Sequence, residues 1–211
     1  MLLNRPLALV TPSVDGDVLA VLARAEASLT PPQVQALIER HSVEGVRKVL
    51  KRLGEQGIVD ADRVGNAVSY RLNRDHLAAA PIVELANLRT ALFNRIRDHV
   101  QTWALPARLV MLFGSAATGL MHPDSDIDLF VVGDDHADDD AWLDQIRVLE
   151  HVVSRWTGND ARVLTCRVSD LNLPGDNLAV ELRRDGILLS GDRSLLERQP
   201  GRASQQHGAR P

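Results

Sequence analysis

Hydrophobic residues recur at helical spacing in three short stretches near the start of the chain. The first stretch covers residues 15–28 and presents one apolar face. The second begins at Thr30, where an N-cap hydroxyl is followed by proline and by Gln33 at the capping-box position. Ser42 is placed to cap the third stretch, which ends at a glycine. The pattern therefore predicts three consecutive helices.

The spacing changes from helical to alternating after the third predicted helix. Val68, Tyr70 and Leu72 alternate with polar residues along the chain. Gly65 and Asn66 come just before them and are residues typical of a tight turn. This order predicts a β-hairpin.

A long apolar stripe follows the predicted hairpin over residues 82–103, between Pro81 and Pro106. Its helical spacing predicts one continuous helix of roughly 20 residues. The pattern is compatible with two roles for the stripe. It packs within its own domain, or it pairs two copies of the chain in a homodimer.

The second half of the chain alternates short apolar runs with helical patterns. Residues 108–113 form an almost unbroken apolar run, typical of a strand buried on both faces, and residues 126–132 form a second one. Further elements are expected after them: a helix over 142–156, a strand over 161–168, a short helix over 177–184 and an edge strand over 187–189. The order predicts an α/β domain with a mixed sheet within a protein of the α+β class.

The composition is that of a folded protein, with 45% hydrophobic and 25% charged residues. No apolar run approaches the ~18 residues that a membrane span requires. A single cysteine, Cys166, excludes an internal disulfide. We therefore expect a cytoplasmic protein with no membrane partner.

The length of 211 residues accommodates two small domains. We expect a first domain over 14–80, a connecting helix over 81–105, a second domain over 106–192 and a disordered tail over 193–211. Residues 104–192 hold 16 Asp and Glu against 7 Lys and Arg. This acidic excess suits a domain that collects cations.

Three helices followed by a hairpin resemble the winged helix-turn-helix of bacterial transcription regulators. The stretch that carries the resemblance reads LTPPQVQALIERHSVEGVRKVLKRLGEQGIVDADRVGNAVSYRL. The resemblance implies DNA binding and a role in transcription regulation, with the third helix in the major groove. The basic residues on its outer face and on the hairpin are the candidate DNA contacts: Arg47, Lys48, Lys51, Arg52, Arg63 and Arg71.

The charge balance of this segment is also compatible with roles that do not involve DNA. Residues 14–80 contain 9 basic and 9 acidic residues, whereas most DNA binders carry a clear positive excess. A charged outer face also keeps an ordinary helix solvated, and winged helices serve as protein-interaction modules. High-affinity DNA binding is expected to require a dimer.

The most informative stretch joins the two apolar strands of the second domain. Asp126 and Asp128 are two residues apart on a strand, so their carboxylates share one face. Two adjacent carboxylates repel each other unless a cation lies between them, and hard oxygen ligands suit Mg²⁺ or Mn²⁺. Gly114 allows close backbone approach to a phosphate, and Ser115 offers a hydroxyl and an amide.

This stretch resembles the nucleotidyltransferase superfamily that includes DNA polymerase β, especially its minimal bacterial and archaeal members. The matching residues are Gly114, Ser115, Gly119, Asp126, Ile127 and Asp128. The resemblance implies that the Gly-Ser turn and Gly119 belong to the nucleotide-binding part. It also implies that both aspartates are catalytic and bind the divalent metal. The implied reaction transfers a nucleoside monophosphate from an NTP, with ATP the first candidate, to a hydroxyl group.

The acceptor is left open by this resemblance. Aminoglycoside-modifying enzymes and antitoxins that adenylylate a partner toxin have similar small domains, so a small molecule and a protein are both candidates.

One departure from the family pattern concerns a third carboxylate, which the family usually places on the following strand. The strand over 161–168 carries no acid, so the candidates for the third carboxylate are Asp160, which precedes the strand, and Asp170, which follows it. If neither candidate reaches the Asp126–Asp128 pair, the metal loses a ligand and the nucleophile loses its base. The alternative is therefore a DNA-binding regulator or antitoxin-like protein whose nucleotidyltransferase fold binds nucleotide or a partner without turnover.

Overall fold

The computed structural model describes residues 1–171 and 177–197. The chain divides into two compact units, one formed by Met1–Asn94 with Met121–Asp124, the other by Arg95–Leu120 with the described residues from Ser125 onward. The domain limits expected from the sequence remain predictions. No helix within the described ranges has the length and apolarity needed to cross a membrane.

The first unit contains the three helices and the hairpin that the sequence predicts. A short 3-10 helix, Pro6–Leu9, precedes them. The helices are α1 (Val14–Arg24), α2 (Pro31–Ile38) and α3 (Val43–Glu55), and the strands are β1 (Val59–Val64) and β2 (Ala67–Leu72). The two strands pair antiparallel with Val64 opposite Ala67, so the turn lies at Gly65 and Asn66.

Local sequence signals fix the starts of α2 and α3. The backbone N–H of Thr30 donates to Oε1 of Gln33 over 2.8 Å, as the capping box predicts. The Ser42 hydroxyl accepts from the Gly45 N–H at the start of α3. The helices bury Val18, Val34, Val46 and Leu50 completely in one core, so burial of their apolar faces holds this unit together.

The prediction of one continuous helix over 82–103 is wrong. The segment forms α4 (Ala79–Ala86) and α5 (Leu88–Gln101), separated at Asn87. The Asn87 N–H donates to the carbonyls of both Val83 and Glu84 at 3.1 Å, which tightens the last turn of α4. Asparagine also favours helix ends over interiors. Dimerisation through this segment remains a prediction.

The second unit is built on a four-stranded mixed sheet in the order β5-β4-β3-β6. Its elements are β3 (Leu109–Phe113), α6 (Gly114–Thr118), β4 (Ile127–Gly133), α7 (Asp139–Thr157), β5 (Ala161–Arg167), α8 (Asn177–Arg184) and β6 (Ile187–Gly191). Strand β3 runs antiparallel to β4 and β6, and β4 runs parallel to β5. The mixed sheet that the sequence predicts is confirmed.

Helices cover both faces of this sheet. On one face, Met111 and Phe130 pack in a cluster with Leu182 of α8. On the other, the indole Nε1 of Trp142 in α7 donates to the Thr165 hydroxyl of β5 over 3.1 Å. Since strand residues alternate between faces, Asp128 lies on the face that α8 covers.

The prediction that a disordered tail starts at residue 193 is wrong for the first residues of that tail. Residues Arg193–Leu196 form a 3-10 helix. Leu195 and Leu196 are only 7% and 1% exposed in the cluster beside α8, so they have apolar surface to bury. Residues 198–211, the rest of the predicted tail, lie outside the described residues.

His99 of α5 lies against the tryptophans of the second unit. Its ring meets Trp156 edge-on at 5.9 Å and Trp103 at 6.4 Å. Its Nε2 atom is buried, with no hydrogen-bond partner among the described residues. Burial lowers the pKa of His99 below the ordinary value of 6.5, so this site stabilises the neutral ring.

We expect the His99→Phe variant to lose less stability than the wild type on acidification. The unfolded chain takes up a proton at a higher pH than the folded chain does, so protonation favours unfolding. The stability from the neutral ring is complete above pH 6.5 and is lost as the pH falls toward the lowered pKa. Urea unfolding at about pH 7.5 and about pH 5.5 measures the difference. His151, exposed on α7, provides the control: His151→Phe should retain the wild-type dependence, and equal behaviour of both variants would contradict the assignment.

Candidate functional site

The turn after β3 places a glycine directly against a carboxylate. Gly114 has φ +69°, in the left-handed region that favours glycine. A Cβ added to Gly114 would lie 2.6 Å from Oδ2 of Asp128. Glycine is therefore required both by the backbone and by the space that Asp128 occupies. The sequence pattern predicts a phosphate in that space, whereas the structure fills it with the carboxylate.

Ser115 and Gly119 bracket the short helix α6. Ser115 is half-buried in its first turn. Gly119 ends the helix with φ +77°, and its N–H donates to the Ser115 carbonyl. A Cβ at Gly119 would meet nothing within 4 Å. The requirement for glycine there is consequently one of backbone conformation.

The two aspartates lie at the start of β4, next to the Gly114 turn. Asp126 immediately precedes the strand, and Asp128 is its second residue, opposite Phe113 of β3. Burial raises the pKa of Asp128, and the negative charges of Asp126 and Glu181 raise it further, while Arg162 opposes the shift. The predicted juxtaposition of Gly114 with Asp128 is thus present in the structure.

A positive charge from the protein itself accompanies this pair. Nη1 of Arg162 lies 2.7 Å from Oδ2 of Asp126. Two adjacent carboxylates are costly unless a cation offsets their repulsion. Arg162 already offsets part of it. The close carboxylates by themselves therefore do not require a metal ion.

The sheet topology separates the two candidates for a third acid. The Asp160 carbonyl accepts the Ile127 N–H at 2.8 Å, so Asp160 is at the same end of the sheet as Asp126. Asp170 follows the other end of β5. A seven-residue strand lies between them, which spans roughly 20 Å. The structure brings Asp160 near the pair and keeps Asp170 away.

Two charged residues near the pair were not assigned a role from the sequence. Arg162 is aligned with Asp128 across the parallel strands, and Glu181 of α8 contributes to the field at Asp128. Sequence spacing alone gives no sign of either contact. The register of β4 and β5 would have revealed Arg162, because parallel neighbours share a face.

The donor atoms at this site are of the type that a divalent metal ion binds. Asp126 and Asp128 offer carboxylate oxygens, which Mg²⁺ and Mn²⁺ prefer. Among the described residues, no group of three or more His, Cys, Asp or Glu is placed to hold a metal ion. The two aspartates would therefore hold the ion together with water and nucleotide phosphates, as is common for Mg²⁺ sites.

The candidate DNA contacts are all exposed on the first unit. Most are paired with acids: Arg47 with Glu44 at 2.6 Å, Lys51 with Glu55 at 3.8 Å, Arg71 with Asp60 at 3.2 Å, and Arg52 with Asp15. Lys48 and Arg63 complete the set. The pairing neutralises much of the positive charge available to phosphates, in line with the even charge balance of the segment.

A protein-family model matches the part of the chain that contains the candidate site. Residues 94–166 match the family model of the nucleotidyltransferase domain. This stretch includes Gly114, Ser115, Gly119 and both aspartates. No protein with a curated description matches the chain.

Solved structures with some similarity include toxin–antitoxin complexes. A toxin–antitoxin with AMP-PNP is 24% identical, covers 50% of this chain and 77% of its own, and has a TM-score of 0.37. The MntA–HepT complex is 20% identical, covers 51% and 77%, and has a TM-score of 0.35. A complex of tri-AMPylated Shewanella oneidensis HEPN toxin with MNT antitoxin is 19% identical, covers 50% and 75%, and has a TM-score of 0.33.

These structural similarities are too weak to carry an argument about function. The family match is independent of them and falls on the residues that carry the sequence motif. The chain therefore has a nucleotidyltransferase domain across residues 94–166.

Proposed function

We propose that this protein transfers a nucleoside monophosphate from a magnesium-bound NTP to a hydroxyl of a protein or small-molecule acceptor. ATP is the nucleotide to test first. The observation that carries the proposal is the packing of Asp128 against Gly114, with Asp126 beside it. It supports the proposal because it brings two carboxylates that suit a metal next to the Gly-Ser turn to which the sequence pattern assigns the phosphates.

The proposed reaction has a simple balance. The acceptor oxygen attacks the α-phosphorus of the NTP, and the bond from that phosphorus to the pyrophosphate oxygen breaks. The hydroxyl proton is released to water or to a carboxylate of the site. The divalent ion, when bound, neutralises charge on the phosphates. Asp126 and Asp128 would hold it, and the Gly114–Ser115 turn would orient the nucleotide.

Label transfer tests this proposal directly. The purified protein is incubated with Mg²⁺, a lysate of the source cells and ATP labelled at the α-phosphate. We expect an acceptor that is labelled by α-labelled ATP only when the protein is added, and no protein-dependent labelling by γ-labelled ATP, because pyrophosphate leaves. Absence of α-label transfer by the wild type, or equal transfer by Asp126→Ala, would contradict the proposal.

A second candidate function is DNA binding by a winged helix-turn-helix in the first unit, which would make the protein a transcription regulator. The observation that favours it is the succession of α1, α2, α3 and an antiparallel hairpin, with every basic candidate residue of α3 exposed. Exposed cations on a third helix suit contacts in the major groove. The acidic partners of those cations argue for weak or dimer-dependent binding.

We expect the protein to retard its own upstream DNA in a gel-shift assay at low salt. The double variant Arg47→Ala and Lys51→Ala should bind about 10-fold more weakly, because two phosphate contacts are lost. Arg147→Ala, which removes an exposed ion pair on α7, is the control and should bind like the wild type. No shift by the wild type, or an unchanged double variant, would count against DNA binding.

A further inference from the structure

Arg162 lies at the same end and on the same face of the sheet as the two aspartates. It is the second residue of β5 and is aligned with Asp128 across the parallel pair. Its Nη1 atom lies 2.7 Å from Oδ2 of Asp126. Its positive charge also acts on Asp128. One guanidinium thus interacts with both candidate metal ligands.

The Arg162 side chain is not held by packing. It is 68% exposed, while the Asp126 side chain is 24% exposed. An ion pair with one solvated partner is weak, because water competes for the charges. The guanidinium is therefore free to leave Asp126 when a stronger cation arrives.

We propose that Arg162 competes with the divalent metal for Asp126 and then binds the nucleotide phosphates. The inference rests on the proposed function, since it assumes that Asp126 and Asp128 take up a metal–nucleotide complex. A divalent ion at Asp126 repels the neighbouring guanidinium. The phosphates that accompany the same ion would then be the nearest anions. A guanidinium group can donate two parallel hydrogen bonds to the oxygens of one phosphate.

This role predicts opposite effects of removing the Arg162 charge on two binding equilibria. Metal alone should bind more tightly, because Asp126 is no longer paired. The metal–nucleotide complex should bind more weakly, because the phosphate contact that Arg162 makes after the metal arrives is lost. An ordinary surface ion pair would alter neither equilibrium, and a general distortion of the site would weaken both.

The test compares Arg162→Gln, Arg162→Lys and the wild type in two titrations. Free Mn²⁺ is titrated without nucleotide and followed by electron paramagnetic resonance. A non-hydrolysable ATP analogue is titrated at saturating Mn²⁺ and followed by calorimetry. For Arg162→Gln we expect Mn²⁺ to bind about 3-fold more tightly, because an exposed ion pair changes an affinity by about that factor. ATP binding should be about 10-fold weaker, the size of one charge-assisted hydrogen bond.

Arg162→Lys separates the charge from the shape of the group. Lysine keeps the positive charge, so Mn²⁺ affinity should stay near the wild-type value. It lacks the planar fork, so ATP affinity should still fall. Arg108→Gln is the matched control, because Arg108 forms an exposed pair with Asp134 at 3.2 Å, at the other end of β3 and β4. It should change neither titration.

The outcomes distinguish this inference from the proposed function. If the wild type binds Mn²⁺–ATP and Arg162→Gln changes neither titration, or weakens both, the inference is wrong and the proposed function stands. If only Arg162→Gln binds free Mn²⁺ and the wild type does not bind Mn²⁺–ATP either, the competition is supported and the proposed function is contradicted. If none of the proteins binds Mn²⁺ or ATP, both are contradicted.

Discussion

Replacing Asp128 with asparagine is expected to abolish nucleotidyl transfer while making the fold more stable. The variant loses a metal ligand, and stabilisation of phosphate charge by a metal amounts to several kcal/mol, so transfer should fall by about 100-fold or more. Burial and the charge of Asp126 raise the pKa of Asp128 above its ordinary value of 3.8. The folded state therefore disfavours the ionised form at neutral pH, and neutral asparagine removes that cost.

Label transfer from α-labelled ATP and urea unfolding at neutral pH measure the two effects on one sample. Asp144→Asn is the control, because Asp144 forms an exposed pair with Arg147 on α7. It should change neither transfer nor stability appreciably. Retained transfer by Asp128→Asn would contradict the assigned role. A loss of transfer accompanied by a loss of stability would indicate a structural role instead.

Replacing Gly114 with alanine is expected to reduce both stability and transfer. Alanine in the left-handed region costs about 1–2 kcal/mol. In addition, the new Cβ would lie 2.6 Å from Oδ2 of Asp128, so the carboxylate has to move. A displacement of about 1 Å in a catalytic group can cost about 100-fold in rate. Thermal unfolding and label transfer measure the two losses.

Gly158→Ala is the matched control for this substitution. Gly158 ends α7 with φ +71°, and a Cβ there would meet nothing within 4 Å. It should therefore show the backbone cost alone, with transfer near the wild-type rate. Equal loss of transfer in both variants would show that strain, rather than displacement of Asp128, explains the effect.

The elements with strong local signals could be predicted from the sequence. Thr30 and Gln33 mark the start of α2, and Gly65 and Asn66 mark the hairpin turn, because each signal acts within a few residues. Features that depend on context were missed. The break at Asn87 lies within a continuous apolar stripe, and Leu195 lies in a mostly polar segment, where only the available packing partners decide its burial.

The closeness of the motif residues could be predicted from the sequence, whereas the charges around them could not, and the roles of these residues remain predictions. The spacing of Gly114, Asp126 and Asp128 predicted that they lie together, and a buried antiparallel pair of strands achieves this. The contribution of Arg162 depends on the register of β4 and β5, which are joined by the long helix α7. Because a helical crossover joins these parallel strands, no short turn between them fixes their register as it does in a hairpin.

The central claim is that Asp126 and Asp128 hold a metal–nucleotide complex beside the Gly114–Ser115 turn. Its most direct test is a calorimetric titration of the protein with a non-hydrolysable ATP analogue and Mg²⁺ or Mn²⁺. We predict saturable binding to the wild type and at least about 10-fold weaker binding to the double variant Asp126→Asn and Asp128→Asn, which lacks both charged ligands. Equal affinity of the two proteins, or no binding to the wild type with either metal, would contradict it.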